Sequence, residues 1–227
     1  MLTSREALTA AAIGGGCILG ASTRAAAAEP SLPGAKVCVL TPEATEGPFY
    51  FDPKLARSDI TEGKPGASLL LTLQIVEAND CAPVPWARVD VWHADGLGLY
   101  SGYADQETGS TKGETFLRGT QFSATGGEVR FTTIYPGWYP GRTPHIHFKV
   151  FVENHSVFTG QLYFPETITE HVYATALPYR DRKGKRDTFN ADDFIFVRQG
   201  GANTTVNLEE KDGSYVAGMV IGIQRNL

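Results

Sequence analysis

Residues 135–150 concentrate side chains that could do chemistry: two imidazoles, two phenols and one guanidinium. From His145 onwards polar and apolar residues alternate, which is the period of an extended strand. His145 and His147 should therefore point to one face, and Ile146 and Phe148 to the other. Along a strand that rises about 3.3 Å per residue, two such rings can converge on one metal ion. A metal site is one interpretation, and a hydrogen-bonded imidazole pair without a metal is the other.

Short strands separated by frequent turns must position this segment. Alternating apolar residues recur along the chain, bounded by glycine, proline and asparagine. A single helix is predicted over residues 167–177, ended by Pro178. This pattern predicts an all-β domain, either a sandwich or a barrel. The predicted strands are residues 69–76, 88–92, 116–122, 128–134, 145–152, 159–164, 194–198, 204–208 and 215–223.

Length and charge narrow the class of partner. The chain has 227 residues and a formal net charge of -5 at pH 7. That length suits one domain with a sizeable core. Lysines and arginines are scattered and form no basic stripe, which argues against nucleic acid and anionic membranes as partners. A small molecule is therefore the expected substrate.

Residues 1–28 have the composition of a secretory signal peptide. Arg5 precedes an apolar run over residues 7–21, and small residues follow at positions 25–28. The run is too short to span a membrane. We expect cleavage near Ala28, a mature domain over residues 29–227, and a secreted or periplasmic location. The export route stays open, and lipid modification of Cys17 is the less favoured alternative.

Cleavage would leave two of the three cysteines, Cys38 and Cys81. An even pair in an oxidising compartment predicts a disulfide between them. Cys81 lies in the turn-forming residues 79–83, where a free thiol would be partly exposed. The alternative is that both cysteines are small buried residues.

Short motifs follow one another between residues 41 and 164. They are Thr41-Pro-Glu-Ala-Thr-Glu-Gly-Pro-Phe-Tyr50, Arg57-Ser-Asp-Ile60, Val89-Asp-Val-Trp-His-Ala-Asp95, Gly98-Leu-Tyr-Ser-Gly102, Leu117-Arg118-Gly119, Pro140-Gly-Arg-Thr-Pro-His-Ile-His147 and Gln161. In this order the set resembles the intradiol ring-cleavage dioxygenases. That family consists of non-heme ferric enzymes that open catechols between their two hydroxyl groups. The ordered set is far more specific than the histidine pair alone.

The resemblance implies a β-sandwich with long active-site loops and a site for one Fe(III) ion. Phenolate oxygens are hard anionic donors that suit ferric iron, and imidazoles complete such a set. Spacing alone does not exclude Tyr103 and Tyr135 as ligands, and only the family pattern sets them aside. The residues that match the family ligands are Tyr100, Tyr139, His145 and His147.

Two further residues match the family pattern beside the iron. Arg142 would stabilise negative charge that develops on the aromatic ring, with Gln161 as its companion. Tyr139 would leave the iron and take up a substrate proton. The ordinary alternatives are a surface role for Arg142 and a polar strand position for Gln161. His93 has no matching role and is interpreted as a structural histidine.

The implied activity is Fe(III)-dependent cleavage of a catechol-type aromatic diol by O2, giving a cis,cis-muconate-type dicarboxylate in aromatic compound catabolism. No organic cofactor is expected, and a homodimer stays open. Only Pro140 and Gly141 separate Tyr139 from Arg142, where catechol-type and protocatechuate-type members carry a longer insertion. We therefore expect a more open pocket, resembling the secreted branch of the family.

Two other classes of protein stay open from the sequence. Cupins also carry a pair of histidines in this spacing, but they require a glutamate closer than Glu153 is to His147. The second class is a secreted β-sandwich module that binds a ligand or glycan without catalysis. Colour would separate these classes, because iron bound to tyrosinate absorbs visible light.

Overall fold

Eight strands form two four-stranded sheets in the computed structural model, which describes residues 38–106 and 109–224. The prediction of an all-β sandwich is confirmed. The predicted signal peptide, residues 1–28, lies outside the described residues.

The first sheet consists of β1 (Ser68–Glu77), β4 (Glu128–Ile134), β7 (Asn207–Lys211) and β8 (Ser214–Ile223), in the order β4-β1-β8-β7. β1 and β8 run parallel, whereas β1 is antiparallel to β4 and β7 to β8. Alternate residues of β1 are fully buried, beginning with Leu69. The alternation read from the sequence therefore places one face of this sheet in the core.

The second sheet carries the histidine pair. It consists of β2 (Arg88–His93), β3 (Arg118–Phe122), β5 (His145–Val152) and β6 (His155–Tyr163), in the order β3-β2-β5-β6 and all antiparallel. Ile146 and Phe148 belong to the core between the sheets. Because side chains alternate along a strand, His145 and His147 lie on the opposite face, as predicted.

A tight turn sets the register of β5 against β6. Glu153 and Asn154 both have positive φ, 51° and 66°, which is the backbone of a two-residue hairpin turn. A register shift between Val150 and Phe151 then moves the pairing by one residue, so that His147 lies opposite Gln161. The turn and this shift together bring the companion residue predicted for Arg142 beside the histidine pair.

The helices include one correction. α1 (Glu166–Thr175) forms where a helix was predicted, but the strand predicted at 194–198 is wrong, because those residues form α2 (Phe194–Arg198). The Asp193 side chain accepts from the backbone N–H groups of Ile195 and Phe196 and so starts this helix. None of the helices in the described part of the chain is long and apolar enough to cross a membrane.

Strand boundaries at the end of the chain also differ from the prediction. β6 starts at His155 instead of 159, and β7 occupies 207–211 instead of 204–208. A 3-10 helix, Gly201–Thr204, takes up the first part of the predicted β7. Gly200 before it has a φ of 73°, which glycine adopts without strain.

The predicted disulfide between Cys38 and Cys81 is present. Their Cα atoms lie 5.4 Å apart, within the usual range for such a bond. It links the beginning of the described chain to the turn after β1.

Candidate metal centre

Two long loops bring the phenols to the end of the second sheet. Tyr100 lies between β2 and β3, and Tyr139 lies between β4 and β5. Gly98 has a φ of 86°, and a Cβ atom there would lie 2.2 Å from the carbonyl oxygen of Trp138. Only glycine therefore lets the two phenol-bearing loops approach so closely.

The backbone of Tyr100 is held on both sides. Its N–H donates to Oε1 of Gln106 over 2.7 Å, and its carbonyl accepts from Nε2 of the same side chain, also over 2.7 Å. The Thr111 hydroxyl donates to the same carbonyl over 2.6 Å. Because the N–H and the carbonyl of Tyr100 are both hydrogen-bonded within the loop, the loop itself fixes the position of this residue.

Three donor atoms surround Nε2 of His145, which is itself the fourth donor. The phenol oxygens of Tyr100 and Tyr139 lie 3.3 and 3.1 Å from it, and Nε2 of His147 lies 3.1 Å from it. Tyr100 and both histidines are at most 2% exposed. The structure therefore places the four predicted ligands in one buried cluster.

The two imidazoles are oriented by different means. Nδ1 of His145 donates to the carbonyl of Thr143 over 2.7 Å, which leaves Nε2 with a free lone pair. The ring of His147 instead stacks on Trp92, with centroids 4.8 Å apart and planes 8° apart. Among the described residues, Nδ1 of His147 has no hydrogen-bond partner. Aromatic packing therefore orients this second ring.

Burial keeps these donors uncharged. It raises the pKa of Tyr100 well above its usual value, with the nearby Tyr139 adding to the effect. Burial also raises the pKa of Tyr139, although Arg142 opposes it. The pKa values of His145 and His147 are well below the usual range, first through burial and then through Arg142. A cation that binds here would therefore have to displace the phenol protons.

Arg142 occupies one side of the cluster. Its Nη1 lies 3.4 Å from both the phenol oxygen of Tyr139 and Nε2 of His145. Its Nη2 donates to Oε1 of Gln161 over 2.6 Å, and its Nε donates to Asp193 over 2.8 Å. The side chain is 15% exposed, which does not fit the alternative of a surface arginine.

Gln161 is occupied at both ends of its amide. Oε1 accepts from Arg142 and from the Tyr163 hydroxyl, and Nε2 donates to the carbonyl of Thr45 over 2.8 Å. The residue is fully buried. Its geometry suits holding Arg142 in place, because no polar atom is left to meet a substrate.

The roof segment, residues 41–50, covers the cluster. Phe49 stacks on Tyr100, with centroids 4.4 Å apart and planes 14° apart. Gly47 lies against His147, where a Cβ atom would be 3.4 Å from Cε1. Glu46 and Lys149 form an ion pair that ties the segment to β5. The segment therefore packs directly on two predicted ligands, Tyr100 and His147.

A cavity of about 360 Å³ opens beside the phenols. Tyr100 and Tyr139 contribute to its wall together with Phe49 and Pro140. Pro140 lies in the short turn that closes with Arg142 N–H donating to the Tyr139 carbonyl over 3.1 Å. The volume of the cavity falls in the range of small-molecule binding sites. A molecule in this cavity would meet the phenol side of the cluster first.

The donor set fits one ferric ion. Ligand atoms about 2.0–2.2 Å from a common ion lie about 3 Å from each other, which matches the spacing around His145. No group of three or more His, Cys, Asp or Glu side chains suited to a metal occurs in the described part of the chain. The phenols are thus needed for a full donor set, and hard anionic oxygen donors favour ferric iron.

Several residues considered from the sequence lie elsewhere. The hydroxyl of Tyr103 donates to the carbonyl of Tyr50, and the hydroxyl of Tyr135 pairs with Thr169. His93 is bonded at both ring nitrogens, to the Ala94 carbonyl and the Thr133 hydroxyl. It therefore has the structural role predicted for it.

Sequence reasoning missed Asp193, Tyr163 and Gln106, which hold Arg142, Gln161 and Tyr100 respectively. Asp193 was hidden by the wrong strand prediction. An aspartate directly before an apolar run is also an N-cap signal, and a helix assignment would have drawn attention to it. For Tyr163 and Gln106 the sequence contains no comparable signal.

The fold and the site define a β-sandwich protein with a buried cluster of two phenols and two imidazoles. A family model described as a dioxygenase, Dioxygenase_C, matches residues 45–177, more than half of the chain. The chain belongs to this family, the intradiol ring-cleavage dioxygenases, so the resemblance noted in the sequence is confirmed. The cupin alternative loses its support, because Glu153 is exposed at the far end of β5.

Individual relatives agree with the family. Chlorocatechol 1,2-dioxygenase of Cupriavidus pinatubonensis is 30% identical over an alignment of 145 residues, and the match covers 53% of this chain and 53% of that protein. Catechol 1,2-dioxygenase of Acinetobacter baylyi is 29% identical over 161 residues, covering 60% of this chain and 50% of that protein. The chain thus spans about half the length of the curated relatives it matches.

A solved structure matches over a greater length. The intradiol ring-cleavage dioxygenase from Tetranychus urticae has 33% sequence identity and a TM-score of 0.76, across 82% of this chain and 95% of that chain. This similarity supports the family assignment.

Proposed function

We propose that this protein is a non-heme Fe(III) enzyme that uses O2 to cleave a catechol-type diol between its hydroxyls, giving a cis,cis-muconate-type dicarboxylate. The observation that carries the proposal is the convergence of two phenol oxygens and one imidazole nitrogen within 3.1–3.3 Å of Nε2 of His145. Tyr100, Tyr139, His145 and His147 would hold the iron. When bound, the ferric ion supplies a Lewis acid that withdraws electron density from a chelated diol.

Tyr139 is the phenol suited to take up a substrate proton. Both phenols line the cavity, but Tyr139 is partly exposed, whereas Tyr100 is 1% exposed and packed beneath Phe49. A diol that binds through both oxygens must lose two protons, and a base beside the cavity can accept one at its phenol oxygen. The two phenols would therefore have unequal roles, with Tyr100 as the permanent ligand.

Arg142 places a fixed positive charge beside the reacting ring. Its Nη1 faces Tyr139 and His145, while Gln161 and Asp193 hold the other guanidinium nitrogens. A guanidinium that is already held in position stabilises developing negative charge without reorganisation. The roof segment limits water on the opposite side of the cluster.

We further infer that the chain is exported and that the mature domain spans residues 29–227. The Cys38–Cys81 disulfide supports an oxidising compartment. Intact mass of the exported protein, before and after reduction and alkylation, measures both features. Two thiols alkylated without reductant would contradict the disulfide, and retention of residues 1–28 would contradict cleavage.

Oxygen uptake across a small panel of catechols tests the proposed activity. The protein loaded with ferric iron should consume one O2 per diol and release a ring-opened dicarboxylate, identified by mass. The same protein loaded with zinc is the matched control, because zinc has no redox chemistry. A protein that retains iron but consumes no O2 with any catechol would instead fit the binding module.

A further inference from the structure

A single buried carboxylate joins α2 to the metal centre. Asp193 is fully buried. Its Oδ2 accepts from Nε of Arg142 over 2.8 Å and from the N–H of Thr143 over 2.9 Å. Its Oδ1 accepts from the N–H groups of Ile195 and Phe196 over 2.8 and 3.0 Å. Each carboxylate oxygen therefore binds two donors, one pair in the site loop and one pair in the helix.

The site-loop contacts reach two groups of the metal centre. Fixing Nε of Arg142 leaves Nη2 to Gln161 and directs Nη1 towards Tyr139 and His145. The hydrogen bond to the N–H of Thr143 also holds the Thr143 carbonyl in place, and this carbonyl accepts from Nδ1 of His145. The same carboxylate thus controls where the guanidinium points and which nitrogen of His145 faces the phenols.

The helix side of Asp193 is anchored independently. Phe196 packs edge-on against Tyr163, with ring centroids 4.9 Å apart. Gln199, directly after α2, accepts from the N–H of Thr45 in the roof segment over 2.8 Å. The helix that binds the carboxylate, together with Gln199 after it, therefore contacts the site at two further points.

We propose that Asp193 is a positioning residue of the enzyme, which sets the geometry of Arg142 and His145 in addition to starting α2. The role rests on the proposed function, because Arg142 and His145 matter to catalysis only in a ring-cleaving enzyme. The substitution Asp193→Asn would keep the shape of the side chain but leave only one acceptor atom. The new amide NH2 group would therefore face N–H donors of either the site loop or the helix, where no hydrogen bond can form. In addition, the guanidinium of Arg142 would lose its buried counter-charge.

The test compares wild type with D193N, R142Q and the double variant D193N/R142Q, all loaded with ferric iron. D193N should lower kcat by about 10- to 100-fold with a much smaller change in KM, as for residues that orient site groups. The kcat of the double variant should lie within about threefold of the kcat of R142Q, because the effects of substitutions within one network are not additive. The double variant also carries no unpaired buried charge, so it should fold even where D193N does not.

V197G is the matched control for the helix. Val197 is exposed on α2, and glycine there weakens the helix without touching the carboxylate contacts. It should lower the melting temperature but leave kcat unchanged. An equal loss of kcat in V197G and D193N would overturn the positioning role, as would fully multiplicative effects of D193N and R142Q.

A readout in iron-free protein separates this inference from the proposed function. The 15N-detected Nε–H of Arg142, assigned by its absence in R142Q, should be protected from solvent exchange in wild type and V197G. It should lose that protection in D193N. An inactive wild type with this pattern would contradict the proposed function but support the positioning, whereas equal protection in D193N would overturn the positioning.

Discussion

Two groups of tyrosines differ in what their hydroxyls meet. The site tyrosines are Tyr100 and Tyr139, and the core tyrosines are Tyr135, Tyr173 and Tyr179. Burial raises the pKa of every one of these phenols. Tyr135 and Tyr139 even lie on the same loop between β4 and β5. Residue type, burial and sequence position therefore do not separate the two groups.

The core tyrosines each bind a group of the surrounding chain. The hydroxyl of Tyr135 pairs with Thr169 over 2.7 Å, and that of Tyr173 donates to the Pro136 carbonyl over 2.8 Å. The hydroxyl of Tyr179 donates to the Tyr135 carbonyl over 2.5 Å. These bonds tie α1 and the 3-10 helix Tyr179–Asp181 to the loop between β4 and β5. The core tyrosines are thus satisfied without a ligand.

Among the described residues, the hydroxyls of the site tyrosines meet only other polar groups of the site. Their hydroxyls face one another, the lone pair of His145 and, for Tyr139, the guanidinium of Arg142. Such a group of donor atoms is suited to a cation, which core packing does not require. The partner of the hydroxyl decides the role of a buried tyrosine, and the predictions below test that difference.

The largest effect is expected for Tyr100→Phe. Loss of a permanent anionic ligand should reduce iron affinity by more than about 100-fold, since outer residues alone contribute about 10- to 100-fold. Tyr135→Phe is the matched control from the core group and should keep its iron and its activity. Losing one hydrogen bond should lower its stability by about 1 kcal/mol. Iron per chain and denaturant midpoints measure both, and equal iron content in the two variants would remove the distinction.

Tyr139→Phe should come next in size. The variant should retain most of its iron, bound by Tyr100, His145 and His147, but should turn over about 100-fold more slowly for want of a proton acceptor. Single-turnover rates with catechol and iron per chain separate the two effects. Iron loss as complete as in Tyr100→Phe would show that the site tyrosines have the same role.

A smaller effect is expected for Arg142→Lys. Lysine keeps the charge but loses the planar fork that binds Gln161 and Asp193, so kcat should fall about tenfold with iron content unchanged. Arg180→Lys makes the same change at a half-exposed arginine and should leave kcat unaltered. Wild-type turnover in Arg142→Lys would contradict the charge-positioning role.

The smallest effect on the site should come from His93→Gln, which tests a satisfied buried imidazole. Burial lowers the pKa of His93 to about 4, so the unfolded chain binds this proton more readily. The free energy of unfolding is therefore not reduced by His93 above about pH 6.5. It falls by up to about 3 kcal/mol as the pH drops from about 6.5 to about 4. The variant should lose less stability over that window in urea unfolding. An identical pH dependence would contradict the assignment.

Much of the sandwich could be predicted because strand alternation is local. The pattern around Leu71 and Phe148 defines one buried face whatever the rest of the chain does. The strand predicted at residues 194–198 was wrong because a short apolar run fits either a strand or a helix. The side chain of Asp193 accepts from the N–H groups of Ile195 and Phe196 and so favours the helix, and this local N-cap signal was present in the sequence.

The candidate site could be predicted only with the family resemblance. Spacing places His145 and His147 on one face, but it treats Tyr135 and Tyr139 alike. Their separation depends on Thr169 of α1, which is distant in sequence and supplies the partner of Tyr135. Gln106 is equally hidden, because its two bonds to the Tyr100 backbone form within an irregular loop.

The visible spectrum of the iron-loaded protein tests the central claim most directly. A phenolate bound to ferric iron gives a charge-transfer band in the visible range. The protein should be coloured, and the band should weaken in Tyr100→Phe and Tyr139→Phe but persist in Tyr103→Phe and Tyr135→Phe. A colourless iron-loaded wild type, or a band unchanged in both site variants, would contradict the account.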